Sequence, residues 1–326
     1  MKIFNFAMII LLLLCPAMAF AQSEPLKTND ISIATLDIDN FWSAFDKLKD
    51  CGARNDSILC LQQYLFDKGT EGFREFAKKY SYAPEDYLYA IWKYPGFFKS
   101  VRGNTFMVKD VTHEIGALYE KVSAFYPDYP PLKICFVISP LQSGGTSTDK
   151  FLFIGAEIVT STKKLDLSGF GDNILGKVLA FDTNVRERII NVVAHETVHD
   201  LQKNADFNNY ELLNRSLIEG AADFVAEYLT GTRANHYLYD YGKLHESELW
   251  IKFKNDIDHG ANTDDWMYNY DRVNENIPSD LGYYMGYRIV ETFFNNSENI
   301  KQAILDIIEM KNPKEFFENS GYENLK

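Results

Sequence analysis

The sequence predicts an α+β fold that is predominantly helical. Apolar residues recur at helical spacing through most of residues 37–130 and again through residues 185–229. Two β-rich runs lie between these regions, at residues 132–139 and 151–158, and a pair of prolines precedes the first. We therefore expect a helical N-terminal lobe over residues 37–130, packed against a region over residues 131–326 that contains a small sheet.

The first residues have the pattern of a secretory signal peptide. Lys2 gives a short positive region, residues 9–14 a compact apolar one, and residues 19–21 an A-x-A cleavage site. The apolar run is too short to favour a membrane span. This pattern predicts a signal peptide over residues 1–21, removed by cleavage before Gln22.

Cys15 raises the alternative of a lipoprotein anchor, but Leu14 immediately before it fits a lipobox poorly. We expect ordinary cleavage and an exported protein, periplasmic or extracellular. Residues 22–36 are predicted to be a polar lead-in. No later stretch is long and apolar enough to cross a bilayer.

The composition favours a large hydrophobic core under an acidic surface. The chain has 326 residues, 46% of them hydrophobic, and its 46 acidic and 33 basic residues give a net charge of −13. Because it is acidic and has no basic cluster, nucleic acid is not an expected partner. Cys51 and Cys60 flank a short segment and could form a local disulfide, whereas Cys135 lies in an apolar run and is expected as a buried thiol.

The predicted N-terminal lobe, residues 37–130, carries no recognisable catalytic pattern. Two roles stay open for it: a wall of a substrate cleft, or support for the catalytic region. Residues 142–147, between the two β-rich runs, are expected to form a flexible hairpin. They are not a phosphate-binding loop, because no GKS or GKT sequence and no helix follows them.

The motif HExxH occupies residues 195–199, within an apolar pattern that predicts one long, largely buried helix. Histidines at i and i+4 are rotated about 40° apart and separated by about 6 Å along the axis, so both imidazoles point the same way. This geometry suits two corners of a tetrahedral zinc site, and Glu196 beside them is a candidate general base.

A second helix is predicted over residues 211–229, with Glu219 in its middle and Asp223 one turn later. Burying two acids on so apolar a helix is unfavourable unless a cation or a proton compensates them. A metal ion would compensate Glu219, and the non-ligating N–H of a zinc-bound histidine would compensate Asp223. The alternative is a purely structural polar patch on two core helices.

A further helix is predicted over residues 281–294. Gly282 and Gly286, one turn apart, would allow a neighbouring helix to approach closely. Tyr283 and Tyr287 share another face of this helix.

These motifs together resemble the gluzincin metallopeptidases. HExxH is followed by Glu219, twenty positions after His199, at a spacing similar to the thermolysin type. The metzincin pattern HExxHxxGxxH fails, because positions 202 and 205 are Gln and Ala. More narrowly, residues 143–146, 218–231 and 281–294 resemble a bacterial family of Zn-dependent proteases of unassigned substrate, which includes proteins similar to a gliding-motility lipoprotein. This likeness extends over about residues 41–322 and is specific only over residues 143–291.

The resemblance implies a zincin-like catalytic half with one Zn²⁺ per chain. His195, His199 and Glu219 would be the metal ligands, Glu196 the general base, and Asp223 the acid that orients a histidine. The fourth position would stay open for water.

The resemblance also implies a substrate cleft, which residues 142–147 could line as the alternative to a merely flexible hairpin. Zincins place an edge strand upstream of the HExxH helix, and residues 151–158 are expected to fill this role by pairing with an extended peptide. Gluzincins use a downstream side chain to hydrogen-bond the oxyanion, and Tyr283 or Tyr287 is the expected donor.

The sequence therefore predicts an exported zinc metallopeptidase that acts on a peptide or protein substrate by metal-assisted amide hydrolysis. Two alternatives stay open. One is a catalytically silent zinc-site protein that acts in surface binding or assembly, although such a protein has no need of Glu196. The other is a hydrolase of cell-wall peptide amides.

Overall fold

Helices make up most of the described chain, which comprises residues 31–233, 236–269 and 277–325 in a computed structural model. The predicted signal peptide, Cys15 and most of the predicted lead-in lie outside the described residues. Within the described ranges, none of the helices combines the length and the apolar character needed to cross a membrane.

The helices follow in chain order. They are α1 (Leu36–Lys47), α2 (Arg54–Leu61), α3 (Glu71–Tyr80), α4 (Pro84–Lys93), α5 (Pro95–Thr105), α6 (Thr112–Phe125), α7 (Ala156–Val159), α8 (Ile174–Leu179), α9 (Val185–Leu201), α10 (Leu212–Thr230), α11 (His236–Asp258), α12 (Leu281–Asn295), α13 (Ile300–Ile308) and α14 (Pro313–Ser320).

A small mixed sheet accompanies the helices, so the predicted α+β, predominantly helical fold class is confirmed. Its strands are β1 (Ile33–Ala34), β2 (Lys133–Val137), β3 (Gly145–Ser147) and β4 (Phe151–Gly155), in the spatial order β1-β2-β4-β3. The strands β1, β2 and β4 run parallel, and β3 pairs antiparallel with β4. As predicted, Cys135 is a fully buried residue of β2.

The structure corrects the predicted edge strand. Residues 151–155 form β4, which is buried along its whole length between β2 and β3. A continuous apolar run is typical of a strand that is covered on both faces, rather than of an edge. The two edges of the sheet are β1 and β3. The edge beside β4 is β3, which comes from the hairpin expected to be flexible, and its residues are half-buried.

The end of the predicted lead-in also takes part in the fold. Ile33 and Ala34 of β1 pair with Ile134 and Cys135 of β2. The N-terminal helices and the sheet share one continuous hydrophobic core. The predicted boundary at residue 130 stays a prediction.

The N-terminal helices brace α9 from one side. The hydroxyl of Tyr119 in α6 hydrogen-bonds with the hydroxyl of Thr197 at 2.9 Å, and both residues are buried. Glu114, also in α6, forms an ion pair with Arg186 at the start of α9. These contacts give the N-terminal helices a supporting role for the helix that carries the HExxH motif.

Cys51 and Cys60 lie side by side, with their sulfur atoms 2.7 Å apart. This separation exceeds the roughly 2.05 Å of a disulfide bond, and both are free thiols in the structure. The disulfide between them stays a prediction.

Candidate metal centre

Helix α9 presents the two histidines of the HExxH motif. Its first turn is capped by Asn184, whose side chain accepts hydrogen bonds from the amides of Arg186 and Glu187. Apolar residues on its inner side are fully buried and fix its rotation. As a result His195 and His199 lie side by side, with ring centroids 4.5 Å apart.

Helix α10 brings Glu219 to the same point. Its carboxylate is almost fully buried, and Oε2 lies 3.1 Å from Nε2 of His199 and 3.4 Å from Nε2 of His195. One ligand atom from each of the three residues lies within 4.8 Å of the others. Two imidazole nitrogens and one carboxylate oxygen are a donor set typical of catalytic zinc, so these residues fit the metal that the sequence predicts.

The remaining ring nitrogens are held by hydrogen bonds that fix the tautomers. Nδ1 of His195 is 2.8 Å from Oδ1 of Asp223, and Nδ1 of His199 is 2.8 Å from Oε1 of Gln202. The Gln202 amide is oriented by its own Nε2, which donates to the carbonyl of Ile218. Because both acceptors are oxygens, each Nδ1 carries a proton, and Nε2 is the nitrogen that would bind a metal in place of its own proton.

The second oxygen of Glu219 has partners of its own. Oε1 accepts hydrogen bonds from Nη2 of Arg215 and from the hydroxyl of Tyr268, each at 2.9 Å. Burial raises the pKa of Glu219, but the adjacent imidazoles outweigh burial and hold the pKa well below its ordinary value. Glu219 is therefore a carboxylate, as a metal ligand must be.

Glu196 lies beside the ligands, at the end of the sheet. Its half-buried carboxylate touches the backbone of Gly145 in β3 so closely that a Cβ at Gly145 would be 2.3 Å from Oε1. Any side chain at position 145 would therefore displace the carboxylate. Burial raises the pKa of Glu196.

Residues 145–312 match a protein family described as "Predicted Zn-dependent protease (DUF2268)". The match covers more than half of the chain. The chain belongs to this family. No curated protein and no solved structure matches the chain.

The part of the chain that matches the family includes β3 at one end and α13 at the other. It contains the complete candidate centre, namely His195, Glu196, His199, Glu219 and Asp223. A family described as zinc-dependent is consistent with the donor set found here.

The two tyrosines predicted as oxyanion donors are placed differently. Tyr287 is buried, and its hydroxyl donates to Glu227 and accepts from Arg233 rather than contacting the three ligands. The ring of Tyr283 instead packs edge-on against the ring of Tyr268, with centroids 6.3 Å apart. Both assignments stay predictions.

The structure adds four residues that the sequence did not single out. They are Gln202, Arg215, Tyr239 and Tyr268, each within hydrogen-bond distance of a ligand or of Asp223. Gln202 follows His199 by three positions and Arg215 precedes Glu219 by four, so helical spacing could have pointed to them. Tyr239 and Tyr268 come from elements distant in sequence, so no nearby motif predicts their contacts.

Proposed function

We propose that this protein is an exported zinc metallopeptidase of the gluzincin type, which hydrolyses peptide bonds. The observation that carries the proposal is the convergence of His195, His199 and Glu219, with both histidine tautomers fixed so that Nε2 points into the cluster. The family description supports a zinc-dependent protease. Export rests on the signal-peptide pattern of residues 1–21.

The three ligands would hold one Zn²⁺ and leave a coordination position open. When bound, zinc lowers the pKa of water from 15.7 toward about 7 and polarises a carbonyl group. The protein supplies the fixed geometry. Asp223 and Gln202 orient the two imidazoles, so the site is organised before a substrate arrives.

Glu196 is assigned the role of general base. It takes a proton from water as the water oxygen forms a bond to the scissile carbonyl carbon. The C–N bond then breaks, and Glu196 returns the proton to the leaving amine. The carboxylate is suited to this because, within the described part of the chain, it accepts no hydrogen bond that would occupy it.

The substrate would enter as an extended peptide along β3. This strand is the last in the sheet order, and its first residue, Gly145, touches Glu196. An edge strand can pair with an added peptide through backbone hydrogen bonds. A peptide bound there would have a carbonyl group close to the Glu196 carboxylate.

The test is the zinc content of the purified protein beside that of His199→Ala and Glu219→Ala. We expect about one zinc per chain in the wild type and none in either variant, because two ligands do not hold zinc tightly. The matched controls are His259→Ala and Glu248→Ala, which change exposed residues of the same types and should keep the metal. Zinc that is unaffected by either ligand substitution would overturn the proposed function.

A further inference from the structure

The carboxylate of Glu219 uses its two oxygens differently. Oε2 faces the imidazoles of His195 and His199, while Oε1 faces away and accepts two hydrogen bonds. The donors, Arg215 and Tyr268, also bond with each other, since Nη2 of Arg215 lies 2.5 Å from the Tyr268 hydroxyl oxygen. The three groups form a closed hydrogen-bonded triangle on one carboxylate oxygen.

Arg215 is held in this position at a cost. It lies one turn before Glu219 on α10, is 8% exposed, and has a buried Nε that finds no hydrogen-bond partner among the described residues. A buried donor without a partner is unfavourable by roughly 1–3 kcal/mol. Aromatic rings surround the guanidinium, each with its centroid 5.8 Å away: Phe207, Tyr210 and Tyr268. Packing and three hydrogen bonds, the third from Nη1 to the carbonyl of Phe207, therefore offset the unpaired Nε.

Tyr268 reaches the same oxygen from outside α10. Its backbone has a φ of 55°, in the left-handed region that a bulky residue rarely adopts. Its amide donates to Oδ1 of Asp280 at 2.6 Å, which anchors the backbone in that conformation. A tyrosine held in an unfavourable conformation with its hydroxyl on a metal ligand indicates a positioning role.

We propose that Arg215 and Tyr268 are positioning residues that restrict Glu219 to one metal-binding oxygen. This rests on the proposed zinc centre. A carboxylate has about four lone-pair sites, two on each oxygen, and the two donors occupy those of Oε1. Only Oε2 is left for the cation. The position that Oε1 would otherwise occupy stays available to water and to the substrate carbonyl.

The test compares the coordination number of the wild type with that of an Arg215→Met/Tyr268→Phe double variant. Cobalt(II) replaces zinc, because zinc has a filled d shell and gives no visible spectrum. With both donors removed, Oε1 can turn onto the metal. X-ray absorption should then count one more oxygen ligand, and the visible bands should weaken because band intensity falls as the coordination number rises.

Two matched controls separate this effect from general disturbance. Arg102→Met removes a guanidinium that pairs with Asp46, far along the chain from the centre. Tyr210→Phe removes a hydroxyl from the same group of rings while keeping the ring that packs on Arg215. Both controls should keep the wild-type spectrum.

The outcomes are distinct from those of the zinc test. Equal coordination numbers in the wild type and the double variant would overturn the positioning role and leave the metal centre intact. A wild-type protein in which His199 coordinates neither zinc nor cobalt would overturn the proposed function itself. If the double variant does not fold, Tyr268→Phe alone carries the test, because it frees one lone pair of Oε1 and keeps the buried Arg215. An added oxygen ligand is still expected.

Discussion

Glu196 differs from the other polar residues of the centre because no hydrogen bond to the described residues fixes the orientation of its carboxylate. His195, His199, Glu219 and Asp223 all have partners that fix their orientation. The Glu196 carboxylate lies against the backbone of Gly145 and forms no hydrogen bond with any of the described residues. Restricted ligands beside an uncommitted carboxylate are the arrangement expected when one residue moves protons while the others hold a metal.

Replacing Glu196 with Gln should therefore separate binding from chemistry. The change keeps the shape of the side chain but removes its basicity. Peptide hydrolysis should fall by about 10²–10⁴-fold, the usual contribution of general acid–base catalysis. The zinc content should stay at the wild-type level, because Glu196 is not one of the three clustered ligands. Hydrolysis of a peptide library and metal analysis on the same preparation measure both.

Glu187→Gln is the matched control for this prediction. Glu187 is an exposed residue in the first turn of the same helix, so the substitution should change neither quantity. If Glu196→Gln kept wild-type hydrolysis, Glu196 could not be the general base.

At this same scale, the sequence could predict the residues whose roles depend on helical spacing. His195 and His199, and likewise Glu219 and Asp223, are four positions apart on their helices, and the structure brings both pairs to one point. Tyr268 could not be predicted, because it lies 49 positions after the carboxylate that it contacts. Contacts between distant elements depend on how the chain packs, so no pattern of neighbouring residues in one sequence predicts them.

At the scale of elements, the sheet shows why an apolar run was assigned to the wrong position. β4 is a continuous apolar run with strong β propensity, as is typical of a strand buried on both faces, and it pairs with β2 on one side and β3 on the other. The edge strand β3 comprises Gly145, Thr146 and Ser147, a short polar run that propensity does not identify. Its place is set by pairing with β4 and by contact with Glu196.

Helices α10 and α12 approach each other so closely that there is no room for a side chain at the glycines where they meet. A Cβ added at Gly286 of α12 would lie 1.7 Å from the carbonyl oxygen of Ser216 in α10. A Cβ added at Gly220, next to Glu219, would lie 2.2 Å from the backbone of α12. The glycines predicted to permit a close approach thus lie on the helix that packs against the Glu219-bearing helix.

Gly286→Ala should destabilise the protein and disturb the metal centre together. The obstructing atoms belong to the backbone of α10, so the helices must separate. We expect a loss of at least about 3 kcal/mol in the free energy of unfolding, at the upper end for overpacking. Zinc affinity should fall because α10 carries Glu219. Urea unfolding and a zinc competition assay measure the two effects.

Gly103→Ala provides the control, because Gly103 lies in α5 and a Cβ there meets nothing within 4 Å. This substitution should stabilise the protein slightly, by up to about 1 kcal/mol, through helix propensity alone. A Gly286→Ala variant as stable as the wild type would contradict the backbone contact between the two helices.

At the scale of the whole molecule, the chain encloses the centre from several directions. The N-terminal helices support α9 through Tyr119, and α11 supplies Tyr239, whose hydroxyl donates to Asp223 at 2.6 Å. The sheet holds Gly145 against Glu196. Elements from both predicted regions, residues 37–130 and 131–326, thus converge on one site. Of these elements, only α9 and α10 carry a motif from which the site could be predicted.

Removal of the metal should therefore lower the stability of the whole protein. Two helices supply the ligands, so an ion bound only by the folded state shifts the unfolding equilibrium. At a free zinc concentration about 1,000 times the Kd, binding stabilises by roughly 4 kcal/mol. For a chain of this size, that corresponds to a change in Tm of about 6 °C. Thermal unfolding with and without a chelator measures it.

His199→Ala shows whether that change reports the centre. The variant lacks one of the three ligands, so its Tm should be the same with and without chelator. An equal fall in the wild type and in His199→Ala would mean that the chelator acts elsewhere. A wild-type protein that contains zinc but keeps its Tm after chelation would contradict coupling between the centre and the fold. A fall confined to the wild type would show that the metal holds α9 and α10 together, as their shared ligand cluster implies.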